Sequence, residues 1–240
     1  MEKLIYPLWK PSAIDADTFR DTLLEDIAPA IIASGTVLGL GIAVADSAVQ
    51  KADNKRMSSG GDLPTAVLCA WVNTVGNRLV LERELSRSAA TYTGYLVTES
   101  EPLRNTLHRP SSGMRTHGMC QVVFLQQPSR LSREQWLDIW QGSHTDIAIE
   151  TQSTFGYRQN VIVRQIAGDE RNVSAMIEEN FPPEAMSSDY CFYGVDTDDK
   201  TGLAANMTAM MDSCTRFIDF DKIDVIPMSE YILLSLPGTS

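Results

Sequence analysis

The chain has 240 residues, of which 43% are hydrophobic and 21% are charged, and its formal net charge is −11. This is the composition of a globular protein that can bury a core, and the acidic balance argues against nucleic acid or an anionic membrane as a partner, because both are polyanions. No long apolar run predicts a membrane span, no signal peptide is recognisable, and four widely spaced cysteines predict neither disulfides nor zinc. We therefore expect a cytoplasmic protein with reduced thiols.

The first half of the chain has the periodicity of alternating strands and helices. The predicted elements are a strand over 3–9, a helix that begins at Asp15 or Asp17 and ends at Ser34, strands over 37–44 and 64–72, a helix over 76–90 and a strand over 91–98. This β-α-β-β-α-β order is that of the ferredoxin-like unit.

A Pro-, Ser-, Gly- and Arg-rich segment follows, without periodicity, and predicts a linker over 105–118 between domains at 1–104 and 119–240. Its two histidines, His108 and His117, are expected to be solvated rather than metal ligands. The element order then repeats. The predicted elements are strands over 120–125, 155–166, 190–195 and 222–234 and helices over 132–151 and 201–217, with 173–188 as an insertion that has a short helical piece.

One offset of 117 residues aligns the first strand, helix and second strand of the two halves, which indicates an internal repeat. Matched pairs are Pro11 and Pro128, Phe19 and Trp136, Asp21 and Asp138, and Gly39 and Gly156. A ferredoxin-like unit leaves one sheet face bare, so two units pack sheet against sheet. The predicted fold is α+β, with two ferredoxin-like repeats whose antiparallel sheets pack into an α+β barrel with the helices outside.

The helix of the second half carries a candidate site. Trp136, Trp140 and His144 recur at intervals of four residues and form one stripe, which is expected to face the sheet. His144 has two interpretations, a hydrogen-bonded core histidine or a general acid/base, since imidazole titrates near neutrality. The matched residue in the first half is Ile27, so the fold does not require a histidine there.

The following strand is apolar in the first half and polar in the second. Tyr157, Gln159 and Asn160 replace Leu40, Ile42 and Ala43. Buried polar side chains need partners, which a polar network, solvent or a ligand can supply. Strand alternation puts Tyr157 and Gln159 on one face and Arg158 and Asn160 on the other, so only one pair is expected to line a pocket.

These residues resemble the EthD domain family of the dimeric α+β barrel superfamily. The resemblance lies in the run from Ser132 to Trp136, in Trp140 and His144, and in the run from Phe155 to Asn160. It implies a fused barrel in one chain, and it allows a homodimer of that barrel. It also implies candidate catalytic residues, His144 and Tyr157, and candidate substrate-binding residues, Trp136, Trp140, Gln159 and Asn160.

Three functions remain open at this stage. The first is an enzyme without metal or cofactor that acts on a small apolar or aromatic metabolite or xenobiotic, by cyclisation or dehydration, isomerisation or cofactor-free oxygenation. The alternative is a non-catalytic carrier or accessory protein that binds such a molecule. The third is haem binding, for which His144 would be the axial ligand.

Overall fold

The computed structural model describes residues 1–89 and 91–236. The strands in these ranges are β1 (Glu2–Trp9), β2 (Val37–Val44), β3 (Ala66–Val72), β4 (Thr91–Tyr92), β5 (Gly94–Leu103), β6 (Met119–Leu125), β7 (Gly156–Ala167), β8 (Ala175–Phe181) and β9 (Ile223–Leu234). Eight of them close an antiparallel barrel in the order β1-β3-β2-β9-β6-β8-β7-β5, because β5 pairs back onto β1, and the short β4 pairs only with β1.

The barrel consists of two sheets with the same internal order. The first half contributes β5-β1-β3-β2 and the second half β9-β6-β8-β7, which is the 4-1-3-2 order of a ferredoxin-like unit in both cases. The second strand of each half pairs with the last strand of the other, as β2 with β9 and β5 with β7. The predicted α+β barrel of two ferredoxin-like units is therefore confirmed.

The helices lie outside this barrel. They are α1 (Ala16–Thr22), α2 (Ala28–Ala33), α3 (Arg78–Leu85), α4 (Arg133–Ile139), α5 (Thr145–Thr151), α6 (Asp189–Phe192) and α7 (Lys200–Thr215). Asp15 caps α1 by accepting from the Thr18 amide, and Ser132 with Gln135 forms a capping box on α4. No helix within the described ranges has the length and apolar character needed to span a bilayer.

A π-helical turn joins α1 to α2 and another joins α4 to α5. These turns, Leu23–Ile27 and Trp140–His144, are 117 residues apart, so they occupy matched positions in the two halves. π turns are frequent at functional sites. Because both halves have one at the matched position, the turn is a feature of the fold and does not by itself mark a site. Its extra residue also turns both His144 and Thr145 inward, and both are buried.

Three buried layers follow from strand alternation. Outward side chains of the first half pack under α1–α3, and those of the second half pack under α4, α5 and α7. Inward side chains of both halves fill the barrel. The apolar part of the barrel interior includes Ile5, Val67, Cys69, Tyr95, Val97, Cys120, Val122, Phe124, Met176, Ile226 and Met228.

The predicted strand over 190–195 is wrong. Those residues belong mostly to the short helix α6 and the turn after it, and the third strand of the second half is β8, within the segment predicted as an insertion. The three polar residues Glu178, Glu179 and Asn180 hid the strand, because no apolar alternation is visible through them. A strand tolerates such residues only where tertiary partners compensate their burial.

The predicted helix over 201–217 is observed as α7, and its three methionines near the middle differ in burial. Met207 and Met211 are exposed, whereas Met210 is partly buried.

Candidate functional site

The barrel holds a cluster of charged side chains, which we call the interior cluster: Lys3, Glu99, Arg158, Glu178 and Glu230. Lys3, Glu178 and Glu230 are buried, Arg158 is partly buried, and Glu99 lies at the exposed edge of the cluster. Lys3 forms ion pairs with Glu99 and, at 2.8 Å, with Glu178. Arg158 forms ion pairs with Glu178 at 3.2 Å and with Glu230. Burial alone would raise the pKa of Glu178, but Arg158 and Lys3 hold it well below its usual range. Glu178 is thus ionised between two cations.

Asn160 contacts this interior cluster. It does not belong to the outward side chains of the second half that pack under α4, α5 and α7, which we call the helix layer. Its Nδ2 donates to a Glu178 carboxylate oxygen at 3.0 Å and to the Met176 carbonyl at 3.2 Å. The adjoining cavity, lined by Arg158, Glu178 and Glu230, has a volume of about 10 Å3. That is room for one water molecule at most, so the barrel centre is filled by protein.

The two tryptophans of the predicted stripe lie between α4 and the sheet, and both are 0% exposed. Trp136 Nε1 donates to the Phe217 carbonyl at 3.1 Å, and Trp140 Nε1 donates to the Tyr157 hydroxyl at 3.1 Å. Their ring centroids are 5.3 Å apart. Each indole N–H therefore has a protein partner, as buried tryptophans usually do.

His144 ends the stripe and faces α7. It is 5% exposed, its ring centroid lies 4.6 Å from that of Phe217, and its Nδ1 lies 2.9 Å from Ser213 Oγ. Arg216 donates to the same hydroxyl at 2.9 Å. Burial, with a smaller effect of the Arg216 charge, lowers the pKa of His144 to about 4. The imidazole is neutral at neutral pH, and across the described part of the chain no group hydrogen-bonds its Nε2.

Tyr157 and Gln159 point from β7 toward the helices, as alternation requires. Burial raises the pKa of Tyr157 well above its usual range, with a further contribution from Glu179. Gln159 Nε2 donates to Thr145 Oγ1 at 2.7 Å, and Ser100 Oγ donates to Gln159 Oε1 at 3.1 Å. Gln159 thereby links α5 to the seam between the two halves.

Sequence reasoning missed Glu179 as a site residue. It is the cross-strand partner of Tyr157 in the β7–β8 register, it is 8% exposed, and burial raises the pKa of its carboxyl to about 8. Within residues 1–89 and 91–236, its Oε1 has no hydrogen-bond partner. The strand registers match Glu179 to Ala70 in the first half, so the fold does not need a carboxyl there.

Five of the six predicted site residues therefore share the helix layer of the second half, and Asn160 lies on the opposite face of β7. Ser213 and Glu179 join that layer. Among the described residues, no group of three or more His, Cys, Asp or Glu side chains is arranged to hold a metal ion.

No family model and no curated protein matches the sequence. Solved structures do match it. An anthrone oxidase-like protein aligns with a TM-score of 0.52 at 9% identity, over 100% of this chain and 96% of its own. A candidate monooxygenase from Fusobacterium nucleatum subsp. nucleatum aligns with a TM-score of 0.50 at 10% identity, over 97% and 92%. A chlorite dismutase mutant from Candidatus Nitrospira defluvii gives a TM-score of 0.48 at 7% identity, over 97% and 91%.

At these identities the likeness establishes the fold alone. The chain is an α+β barrel protein, similar in architecture to one protein described as anthrone oxidase-like and to one candidate monooxygenase. Membership of the EthD family stays a prediction, because no family model matches the chain.

Proposed function

We propose that the helix layer of the second half transfers a proton to or from a small apolar or aromatic molecule, in an EthD-like enzyme of catabolic or secondary metabolism. His144 is the candidate base and Tyr157 and Glu179 are the candidate hydrogen-bond donors. Trp136, Trp140 and Gln159 line the same layer, and Asn160 supports β7 from the barrel side.

The observation that carries this proposal is the pair of opposed pKa shifts. A neutral imidazole with a pKa of about 4 and a protonated carboxyl with a pKa of about 8 occupy one layer. His144 contacts Ser213 of α7, and Glu179 is the cross-strand partner of Tyr157, which accepts from Trp140 of the same stripe as His144. Environments that move two titratable groups in opposite directions are typical of an acid and a base in one site.

Neutral donors and a neutral base suit a substrate that develops negative charge on oxygen. His144 would take a proton from a carbon next to a carbonyl, and the Glu179 carboxyl or the Tyr157 hydroxyl would donate a hydrogen bond to the resulting enolate. Trp136 and Trp140 have no exposed surface, so an aromatic ring enters only if the helix layer moves away from the sheet. Ligand binding is therefore expected to loosen the contact between α4 and β7.

Anthrone is a suitable probe substrate, because it is an apolar carbon acid and one structural neighbour is described as anthrone oxidase-like. Loss of a proton from its methylene carbon yields an enolate, which dioxygen oxidises. The overall reaction converts one anthrone and one O2 into one anthraquinone and one water. No bound metal or organic cofactor is needed to balance it.

The test is oxygen uptake and anthraquinone absorbance with the wild type, His144→Ala, Glu179→Gln and an exposed control, Glu134→Gln. We expect the wild type and the control to exceed the spontaneous rate, and His144→Ala to lose roughly 100-fold or more, the usual contribution of a general base. Equal rates in all four proteins would contradict the proposal. Saturable binding of anthrone without turnover, unchanged in His144→Ala, would favour the carrier instead.

A further inference from the structure

One end of the barrel opens into a cavity that is separate from the helix layer. Its volume is about 200 Å3, and Trp9, Tyr95 and Phe124 supply aromatic walls. We call this cavity the barrel mouth. It lies at the end of β1 opposite to Lys3 and the interior cluster. Open ends of β-barrels are frequent ligand sites.

Matched positions of the two halves meet at the barrel mouth, which therefore lies near their pseudo-two-fold axis. The matched lining pairs are Pro7 with Phe124, Trp9 with Gln126, and Pro64 with Val173. At two of the three pairs, one half supplies an aromatic ring and the other does not. The cavity is thus asymmetric, although the fold that surrounds it is repeated.

Tyr95 places an unsatisfied hydroxyl at this site. The side chain is 2% exposed, and across the described residues its hydroxyl has no hydrogen-bond partner. Burial raises its pKa to about 12, so it remains a donor at neutral pH. The strand registers match Tyr95 to Ile226, so an aliphatic residue satisfies the fold at that position. A buried, unpaired donor is costly, and a ligand acceptor would remove the cost.

Arg171 supplies a cation at the same cavity. Its guanidinium carbon lies 4.0 Å from the centroid of the Trp9 ring, and Trp9 Nε1 donates to the Asp62 carbonyl at 2.9 Å, which fixes the ring. Within the two described ranges, no carboxylate pairs with Arg171. Asp62 and Asp224 also line the cavity, and Asp224 accepts from the Ser59 amide at 2.7 Å. A stacked and unpaired guanidinium is well suited to bind a carboxylate.

We propose that the barrel mouth binds an aromatic carboxylate of one or two fused rings. The ring lies among Trp9, Tyr95 and Phe124, and the carboxylate accepts from the Tyr95 hydroxyl and from Arg171. The size limit follows from the volume, which is below the roughly 300 to 1,000 Å3 of sites for drug-sized ligands but above the approximately 150 Å3 of a cavity that holds benzene. This site does not depend on His144 or Glu179.

The test is calorimetric titration of the full chain with 2-naphthoate and with the neutral 2-naphthamide. Arg171→Gln should weaken 2-naphthoate roughly tenfold or more and leave 2-naphthamide little changed, because only the carboxylate needs the cation. Arg164→Gln is the matched control, since Arg164 is also exposed and lies outside the barrel mouth. Both Arg164→Gln and His144→Ala should bind like the wild type.

Tyr95→Phe supplies an independent readout. It should weaken both ligands several-fold and also raise the melting temperature of the free protein, because it removes the unsatisfied hydroxyl. A tyrosine that only fills the core would not show both effects. No saturable binding of 2-naphthoate at millimolar concentration, or equal losses in Arg171→Gln and Arg164→Gln, would overturn the proposal. Failure of the anthrone test leaves these outcomes unaffected.

Discussion

Replacing Glu179 by Gln should make the protein more resistant to unfolding as the pH rises. The carboxyl has a pKa of about 8 in the folded chain, against an ordinary value of 4.5. Between those values the folded state holds a proton that the unfolded state releases. The stability linked to this proton is complete below pH 4.5 and is lost as the pH rises through 8.

The size of the effect follows from linkage. A full proton difference costs about 1.4 kcal/mol per pH unit, so the wild type loses at most roughly 5 kcal/mol relative to the Gln variant by about pH 8. This is a large part of the roughly 5 to 15 kcal/mol that stabilises a typical domain. His144 acts with the opposite sign. Its pKa is lowered from 6.5 to about 4 in the folded chain, so the stability linked to its neutral form is complete above pH 6.5 and is lost as the pH falls toward 4. Because both the wild type and Glu179→Gln contain His144, its contribution cancels in the difference between their unfolding free energies.

The assay is urea unfolding, followed by tryptophan fluorescence, at several pH values between about 5 and 8. The free-energy difference between Glu179→Gln and the wild type should grow steadily with pH. The exposed control Glu134→Gln should follow the wild type. If the difference in unfolding free energy between Glu179→Gln and the wild type stays constant within about 0.5 kcal/mol over this pH range, Glu179 is not a protonated buried carboxyl. Its place in the candidate site is then refuted.

Three further predictions follow from the packing. Lys3→Met should destabilise the chain by about 3 to 5 kcal/mol, since it leaves Glu178 with one fewer cation in the buried cluster; a loss below about 1 kcal/mol in urea unfolding would contradict the network. Gly118 has a φ of +77° and an added Cβ would overlap the Phe181 carbonyl oxygen, whereas Gly113, with a φ of +76°, has open space. Gly118→Ala should therefore cost clearly more than Gly113→Ala, for which about 1 to 2 kcal/mol is expected, and equal melting temperatures would be inconsistent with this packing. Cys69 and Cys120 are buried, whereas Cys191 and Cys214 are partly exposed, so native iodoacetamide labelling read by mass spectrometry should modify Cys191 and Cys214 first, and early modification of Cys69 would refute it.

Most strands and helices were predictable because their apolar residues recur with a clear period. In β1, for example, Leu4, Tyr6 and Leu8 all face the helices of the first half. The predicted repeat rested on Pro11, Phe19 and Gly39, which have counterparts at one offset. The offset changes after the second strand. In the last strand of each half, the registers match Glu99 to Glu230, an offset of 131 residues.

The candidate site was only partly predictable. Sequence periodicity placed Trp136, Trp140 and His144 on one face of a helix, and the structure brings them to the sheet. The partner of His144, Ser213, lies 69 residues further along the chain, and no local pattern marks it. The closed layer around the two tryptophans was equally invisible, because packing density depends on side chains from α7 and β9 that are remote in sequence.

By itself, the sequence determined the two-unit barrel and the polarity of the second half, since both depend on local periodicity and composition. Only the tertiary structure decided what the polar residues became. Glu178 and Glu179 are adjacent and chemically identical, yet one is ionised between Arg158 and Lys3 and the other is protonated beneath the helices. Alternation along β8 sends them to opposite faces, and closure of the barrel brings cations from β1 and β7 to one face alone.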